Sequence, residues 1–93
     1  MRLKAYANVW DAISDTPEEA ANMTMRSELM LAIREEVRSW KLTQAGAARK
    51  LGVTQPRLND LLQGRISNFS IDALINLATA AGFKVELRIA DAA

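Results

Sequence analysis

The sequence predicts a mainly α fold: one bundle of four to five helices closed by a C-terminal β-strand and assembled as a dimer. Three observations predict it. Capping residues at Thr16, Thr43, Thr54 and Ser70 each stand just before a run of apolar residues at helical spacing. Strict alternation of apolar and polar residues occurs in one place, residues 83–89. The chain has 93 residues, 49% of them apolar, which is enough for a single modest core and too apolar for disorder.

Residues 1–15 have no clear period, yet Tyr6, Val9, Trp10 and Ile13 make them too apolar for a plain tail. They read as an N-terminal arm that docks on the main domain, residues 16–93. Thr16-Pro17-Glu18-Glu19 starts the first helix. Thr16 caps, Pro17 suits the first helical position, and Glu19 is the third residue of a capping box. This helix is expected to run to about Trp40, loosened near residues 22–24. Leu29, Met30, Ile33, Val37 and Trp40 form its buried stripe, and Met23 and Met25 join Met30 as core filler.

A second helix of barely two turns lies between Thr43 as N-cap and Gly52 as C-terminal stop. A third begins at Thr54, with Pro56 in its first turn, and runs through Leu58, Leu61 and Leu62 to Gly64. A fourth opens at Ser70, where Phe69 can pack on Leu74 as a hydrophobic staple, and it ends at Gly82. The strand then places Phe83, Val85, Leu87 and Ile89 on one face and Lys84, Glu86 and Arg88 on the other. A lone strand needs a partner for its backbone groups. The candidates are residues 2–9 or the same strand of a second subunit, and the second is favoured.

The composition excludes much chemistry. With no Cys and no His, the chain has no thiol nucleophile, zinc finger or imidazole base, and no cofactor is expected. An enzyme would need convergent carboxylates, such as Glu35 and Glu36 with Asp60, and consecutive glutamates on a helix do not face one another. No apolar run approaches the ~18 residues of a membrane span, and no secretory leader is evident, so a cytoplasmic location is expected.

Charge is unevenly placed. Residues 41–69 carry Lys41, Arg49, Lys50, Arg57 and Arg65 against Asp60 alone, a net of +4, while residues 1–40 sum to −2 and residues 70–93 to −1. A basic middle between acidic flanks fits a segment that meets a phosphate backbone, and equally a solvated basic helix face.

The second and third helices meet the demands of a helix-turn-helix unit. Counting from Gln44, the fifth residue must be small for close helix approach and is Ala48. The ninth must accept a left-handed backbone and is Gly52. The tenth, fifteenth and eighteenth must be apolar and are Val53, Leu58 and Leu61.

Within this frame, the stretch LTQAGAARKLGVTQPRLNDLLQG, the following FS and the AAGFKVEL strand resemble Xre-type (lambda-repressor-like) helix-turn-helix proteins. More narrowly they resemble HigA-like antitoxins, as does NVWDAI upstream; the likeness spans roughly residues 8–89. The resemblance implies that the third helix enters the major groove of double-stranded DNA, with Gln55, Arg57 and Asn59 reaching base edges. It places Thr43 and Gln44 on phosphate at a helix N-terminus, Thr54 at the start of the reading helix, and Arg65, Ser67 and Asn68 beside a second phosphate. Asp60 either accepts from a cytosine amino group or holds Arg57 or Arg65, the latter being expected. Pro56 departs from the pattern, standing where such repressors often place a polar reader. Gly46, inside the second helix, costs roughly 1 kcal/mol against alanine and has no explanation in the sequence beyond close approach to a neighbour or to DNA.

The function implied is a dimeric autorepressor on a palindromic operator, serving as the antitoxin of a RelE/HigB-like RNA-cleaving toxin; the alternative is a stand-alone regulator. Val9, Trp10, Asp11, Asp15, Glu18 and Glu19 would offer an acidic, partly apolar contact to a basic toxin. Val9 and Trp10 equally well cover their own core.

Overall fold

The computed structural model describes residues 10, 12, 13 and 15–91. Among the described residues, Trp10, Ala12 and Ile13 are helical, and four bounded α-helices follow: α1 (Pro17–Ser39), α2 (Gln44–Leu51), α3 (Gln55–Leu62) and α4 (Ile71–Ala80), with a 3-10 turn at Ile66–Asn68 before α4. Each α-helix starts the same way. The side-chain oxygens of Thr16, Thr43, Thr54 and Ser70 accept from the backbone N–H three residues on, at Glu19, Gly46, Arg57 and Ala73. All four expected caps are therefore in place, each satisfying one N–H that the helix leaves open.

The longest helix, α1, packs chiefly on α4, and α2 packs chiefly on α3. Ile33 from α1, Leu58 and Leu61 from α3, Phe69 and Leu74 form the centre of the core, none more than 1% exposed. Ala47, Ala48 and Leu51 bury the inner face of α2, and Leu29, Trp40, Val53, Leu62 and Ile66 pack around the rim. Phe69 and Leu74 share this core, as the staple requires. The far end of α1 is pinned through Trp40. Its indole donates to Glu36 Oε2 at 3.0 Å, and Lys50 of α2 places its Nζ 4.1 Å from the ring centroid. Near the middle of α1 the Trp10 indole donates to Ser27 Oγ at 2.6 Å, which gives the buried Ser27 hydroxyl a partner.

Two glycines carry turns. Gly52 closes α2 at φ 75, ψ 31, the left-handed conformation that needs no Cβ. Gly64 closes α3 at φ 74, and a Cβ there would come within 3.2 Å of Arg34 Nη1. Gly46 has a different reason. A Cβ on it would lie 3.2 Å from Thr43 Oγ1, the hydroxyl that caps α2 through Gly46 itself.

Four expectations are corrected. The C-terminal strand does not form in the single chain: residues 83–90 make no ladder and are exposed, Leu87 by 87% and Ile89 by 85%. Among the described residues there is no second extended segment, because residues 15–82 go into helices, their caps and tight turns; residues 2–9, the other candidate partner, lie outside the described residues. The dimer that the strand was expected to build therefore draws no support from this chain alone. The helix α1 is unbroken through residues 22–24. Of the three methionines only Met30 is buried; Met25 is 51% exposed because it faces away from the stripe set by Met30, Ile33 and Val37.

Phe69→Ala is expected to cost about 3–5 kcal/mol by emptying the centre of the core. Gly52→Ala should cost only about 1–2 kcal/mol of backbone strain, since an added Cβ meets nothing within 4 Å. Urea unfolding of the two variants measures the difference, and equal losses would contradict this account of the core.

Candidate nucleic-acid interface

The helices α2 and α3 are joined by the three-residue turn Gly52–Thr54, in which Val53 N–H returns to Ala48 O at 3.0 Å. Their N-termini are open to solvent, with Thr43, Gln44, Thr54 and Gln55 all exposed. Their electrostatics set them apart from the other two helices. Acidic residues occupy the first turn of α1 (Glu18 and Glu19) and of α4 (Asp72), whereas α2 and α3 have none. The positive ends of these two helix dipoles are left uncompensated, which suits phosphate oxygens.

A third element completes the surface. The turn carrying Ser67 and Asn68 is held from both sides by arginines. From α1, Arg26 donates through Nη1 to Ile66 O (3.4 Å) and Phe69 O (3.3 Å), while its Nε donates to Asn22 Oδ1 at 2.6 Å. From α3, Arg57 donates through Nη1 to Asn68 O at 2.8 Å and lays its guanidinium over the Phe69 ring, 3.9 Å from the centroid. Asp60 binds Arg65 at 2.7 Å, the arrangement expected for it. That pair is half in solvent and adds little to stability.

The candidate residues thus fall into three groups. Thr43 and Gln44 stand at the start of α2. Thr54 and Gln55 stand at the start of α3, with the half-buried Asn59 one turn on. Arg57, Asn68 and Arg65 gather at the α3–α4 turn, where Arg57 and Asn68 are bonded to each other. The free chain therefore turns Arg57 along the protein toward Asn68 and Phe69 and leaves Gln55 as the outward side chain at the head of α3.

A helix-turn-helix domain model matches residues 12–90. The chain belongs to the helix-turn-helix domain family. No curated protein matches it. The helix-turn-helix unit of this family member is α2–turn–α3, the segment in which small, left-handed and apolar positions fall at the required offsets. Ala48 is 3% exposed, Gly52 is left-handed, and Leu58 and Leu61 are each 1% exposed. Among the described residues no helix is long and apolar enough to cross a membrane, and no cluster of acidic side chains gathers to hold a metal ion.

Arg38 was missed in the sequence, and Lys41 was read only as one cation of the basic segment. Arg38 and Lys41 line an open groove of about 320 Å³ together with Gln44, Val37 and Leu58. They place two cations beside Gln44 at the start of α2. Lys41 bends the chain into it with a positive φ of 54. The signal was divided, because Arg38 belongs in sequence to the acidic first helix and joins the basic segment only when α1 ends beside α2.

Arg57→Ala should lower the unfolding free energy by about 1–2 kcal/mol in the absence of any nucleic acid, from the lost ring contact and carbonyl hydrogen bond. Thermal unfolding of the free protein measures this, and an unchanged midpoint would mean that the guanidinium is idle until DNA arrives.

Proposed function

We propose that the protein is a sequence-specific DNA-binding transcriptional regulator that acts as a dimer on a palindromic operator, with α3 in the major groove. The observation that carries this reading is the pair of short, exposed, acid-free helix N-termini joined by a left-handed glycine turn. Membership of the helix-turn-helix family supports it. Thr43 and Gln44 then bind one phosphate, with Arg38 and Lys41 beside them. Thr54 and Gln55 meet the groove at the head of α3, and Arg65 and Asn68 meet a second phosphate.

Gln55 and Asn59 are assigned to base edges, where a carboxamide pairs bidentately with adenine. Arg57 is assigned to hold the α3–α4 turn, since reaching a base would cost it both the Asn68 carbonyl and the Phe69 ring. Two copies would present their reading helices to half-sites about 34–36 Å apart, one turn of the duplex.

A second role is compatible with the first. As the antitoxin of a toxin–antitoxin pair, the chain would offer the exposed acidic start of α1, at Asp15, Glu18 and Glu19, with Ile13 63% exposed beside it, to a basic partner. Trp10 is less available for that contact, being held on Ser27. Co-purification with the product of the adjacent gene tests this role, and the stand-alone regulator is the reading left if nothing binds.

Fluorescence anisotropy on a duplex from the protein's own upstream region, against a scrambled duplex, tests the main proposal. A preference of about 10³-fold or more is expected, falling as salt rises. Gln55→Ala should lose about 1–3 kcal/mol of discrimination, while Lys41→Ala should weaken both duplexes alike. Equal weak binding to the two duplexes would reject sequence-specific regulation from that site.

A further inference from the structure

The segment that leaves α4 is the largest uncovered apolar feature of the described chain. Phe83, Val85, Leu87 and Ile89 are 38%, 40%, 87% and 85% exposed. The exposure is graded: the two residues nearest the bundle are partly covered by their own domain, and the two farther ones are bare. Lys84 Nζ lies 3.7 Å from Glu86 Oε1, so the polar residues gather on the other side of the segment.

We propose that residues 85–89 pair antiparallel with the same residues of a second copy, about a two-fold axis through Leu87, and that this ribbon is the dimer interface. The proposal rests on the dimeric reading given above and supplies its geometry.

Charge selects the axis. An antiparallel pair about Glu86 would set Glu86 against Glu86 and Lys84 against Arg88 twice, and like charges directly opposite destabilise a sheet. An axis through Leu87 sets Glu86 against Arg88 twice, Val85 against Ile89 twice, and Leu87 against itself. An axis through Val85 would also pair opposite charges, Lys84 with Glu86. It would, however, bring Ile89 opposite Ala81, the C-cap of α4 at φ −78 and ψ −4, where no ladder can continue. Ile89 would stay bare. A shift by one residue is excluded because it turns apolar side chains onto the polar face.

The graded exposure points the same way. About Leu87, each bare Ile89 lands beside the partner's Val85, which is 40% exposed in its own chain against 85% for Ile89. Each copy's far half is thus covered by the other copy's near half, and the body of the bundle supports a ribbon that two strands alone would not sustain. Residues 2–9 are a poorer match in sequence. Their odd positions are Leu3, Ala5, Ala7 and Val9, too small to cover this face, and Arg2 and Lys4 add two cations.

The chain has no cysteine, so single substitutions report the axis directly. Sedimentation equilibrium of the full chain establishes whether it dimerises. Leu87→Cys and Val85→Cys are then oxidised mildly and run on non-reducing gels. Leu87→Cys is expected to cross-link into a covalent dimer for most of the protein, and Val85→Cys to remain largely uncross-linked, because only the axial residue meets itself at disulfide distance. In parallel, Glu86→Arg should weaken the dimer about tenfold, and Glu86→Arg combined with Arg88→Glu should restore it. A dimer that cross-links at position 85, at both positions or at neither overturns the proposed register while leaving the dimer intact. A chain that sediments as a monomer overturns the dimeric reading itself, and DNA binding by that monomer would show that reading and recognition are separate questions.

Discussion

Helices of eight residues do not persist in water alone, and both helices of the recognition unit are that short. Their shape is therefore a property of the core beneath them. The side chains of Leu58 and Leu61 anchor α3, those of Ala47, Ala48 and Leu51 anchor α2, and Ile33 of the 23-residue α1 joins the same core. The alanines matter through their size. They let α2 lie close against the core, while the left-handed Gly52 turns Val53 N–H back onto Ala48 O. The threonine caps then fix where each short helix begins, so the polar residues at the heads of α2 and α3 hold fixed positions relative to each other. A surface that reads a duplex needs that fixity, because its register on the phosphates decides which bases its side chains can meet.

The second dependence is at the turn before α4. Its carbonyls at Ile66, Asn68 and Phe69 are met by guanidinium groups from two different helices. Arg26 and Arg57 approach the turn from α1 and α3 respectively, and Phe69 beneath Arg57 is itself part of the core. Core packing is in this way carried out to an exposed loop: moving α3 would disturb Asn68, and loosening Phe69 would disturb Arg57. The basic charge of residues 41–69 is partly internal for the same reason. Arg57 is engaged by a ring and a carbonyl, Lys50 by Trp40, and Arg65 by Asp60. Net charge alone overstates the cation available to an outside anion.

What the sequence revealed and what it hid divide along the range of the interactions. Thr16, Thr43, Thr54 and Ser70 bond three residues ahead, so each cap could be read from a few letters. The same is true of Gly52, whose left-handed turn is a local demand. The stripe of Met30, Ile33 and Val37 was legible because a helix repeats its face at fixed spacing. Arg57 was not, because its direction depends on Phe69 and Asn68, which come alongside only when the chain returns. Arg38 and Lys41 were hidden likewise, since their place beside Gln44 is created by the end of α1. Met25 shows the limit of composition: an apolar letter in a helix says nothing until the face it occupies is known.

The C-terminal segment is the instructive case. Alternation at residues 83–89 specifies two faces, and it specifies them well, but a strand is a relation between two segments. The described residues supply one. If the second comes from another copy, a segment beyond α4 becomes what sets the distance and angle between two recognition helices. Half-site spacing on an operator is a geometric consequence of the joint between subunits. Base contacts at Gln55 and Asn59 would then determine which half-site is read, while the pairing of Glu86 with Arg88 across an axis at Leu87 would determine how far apart two half-sites must lie. Specificity would be divided between the two ends of the domain, with the rigid bundle of α1 and α4 transmitting one to the other.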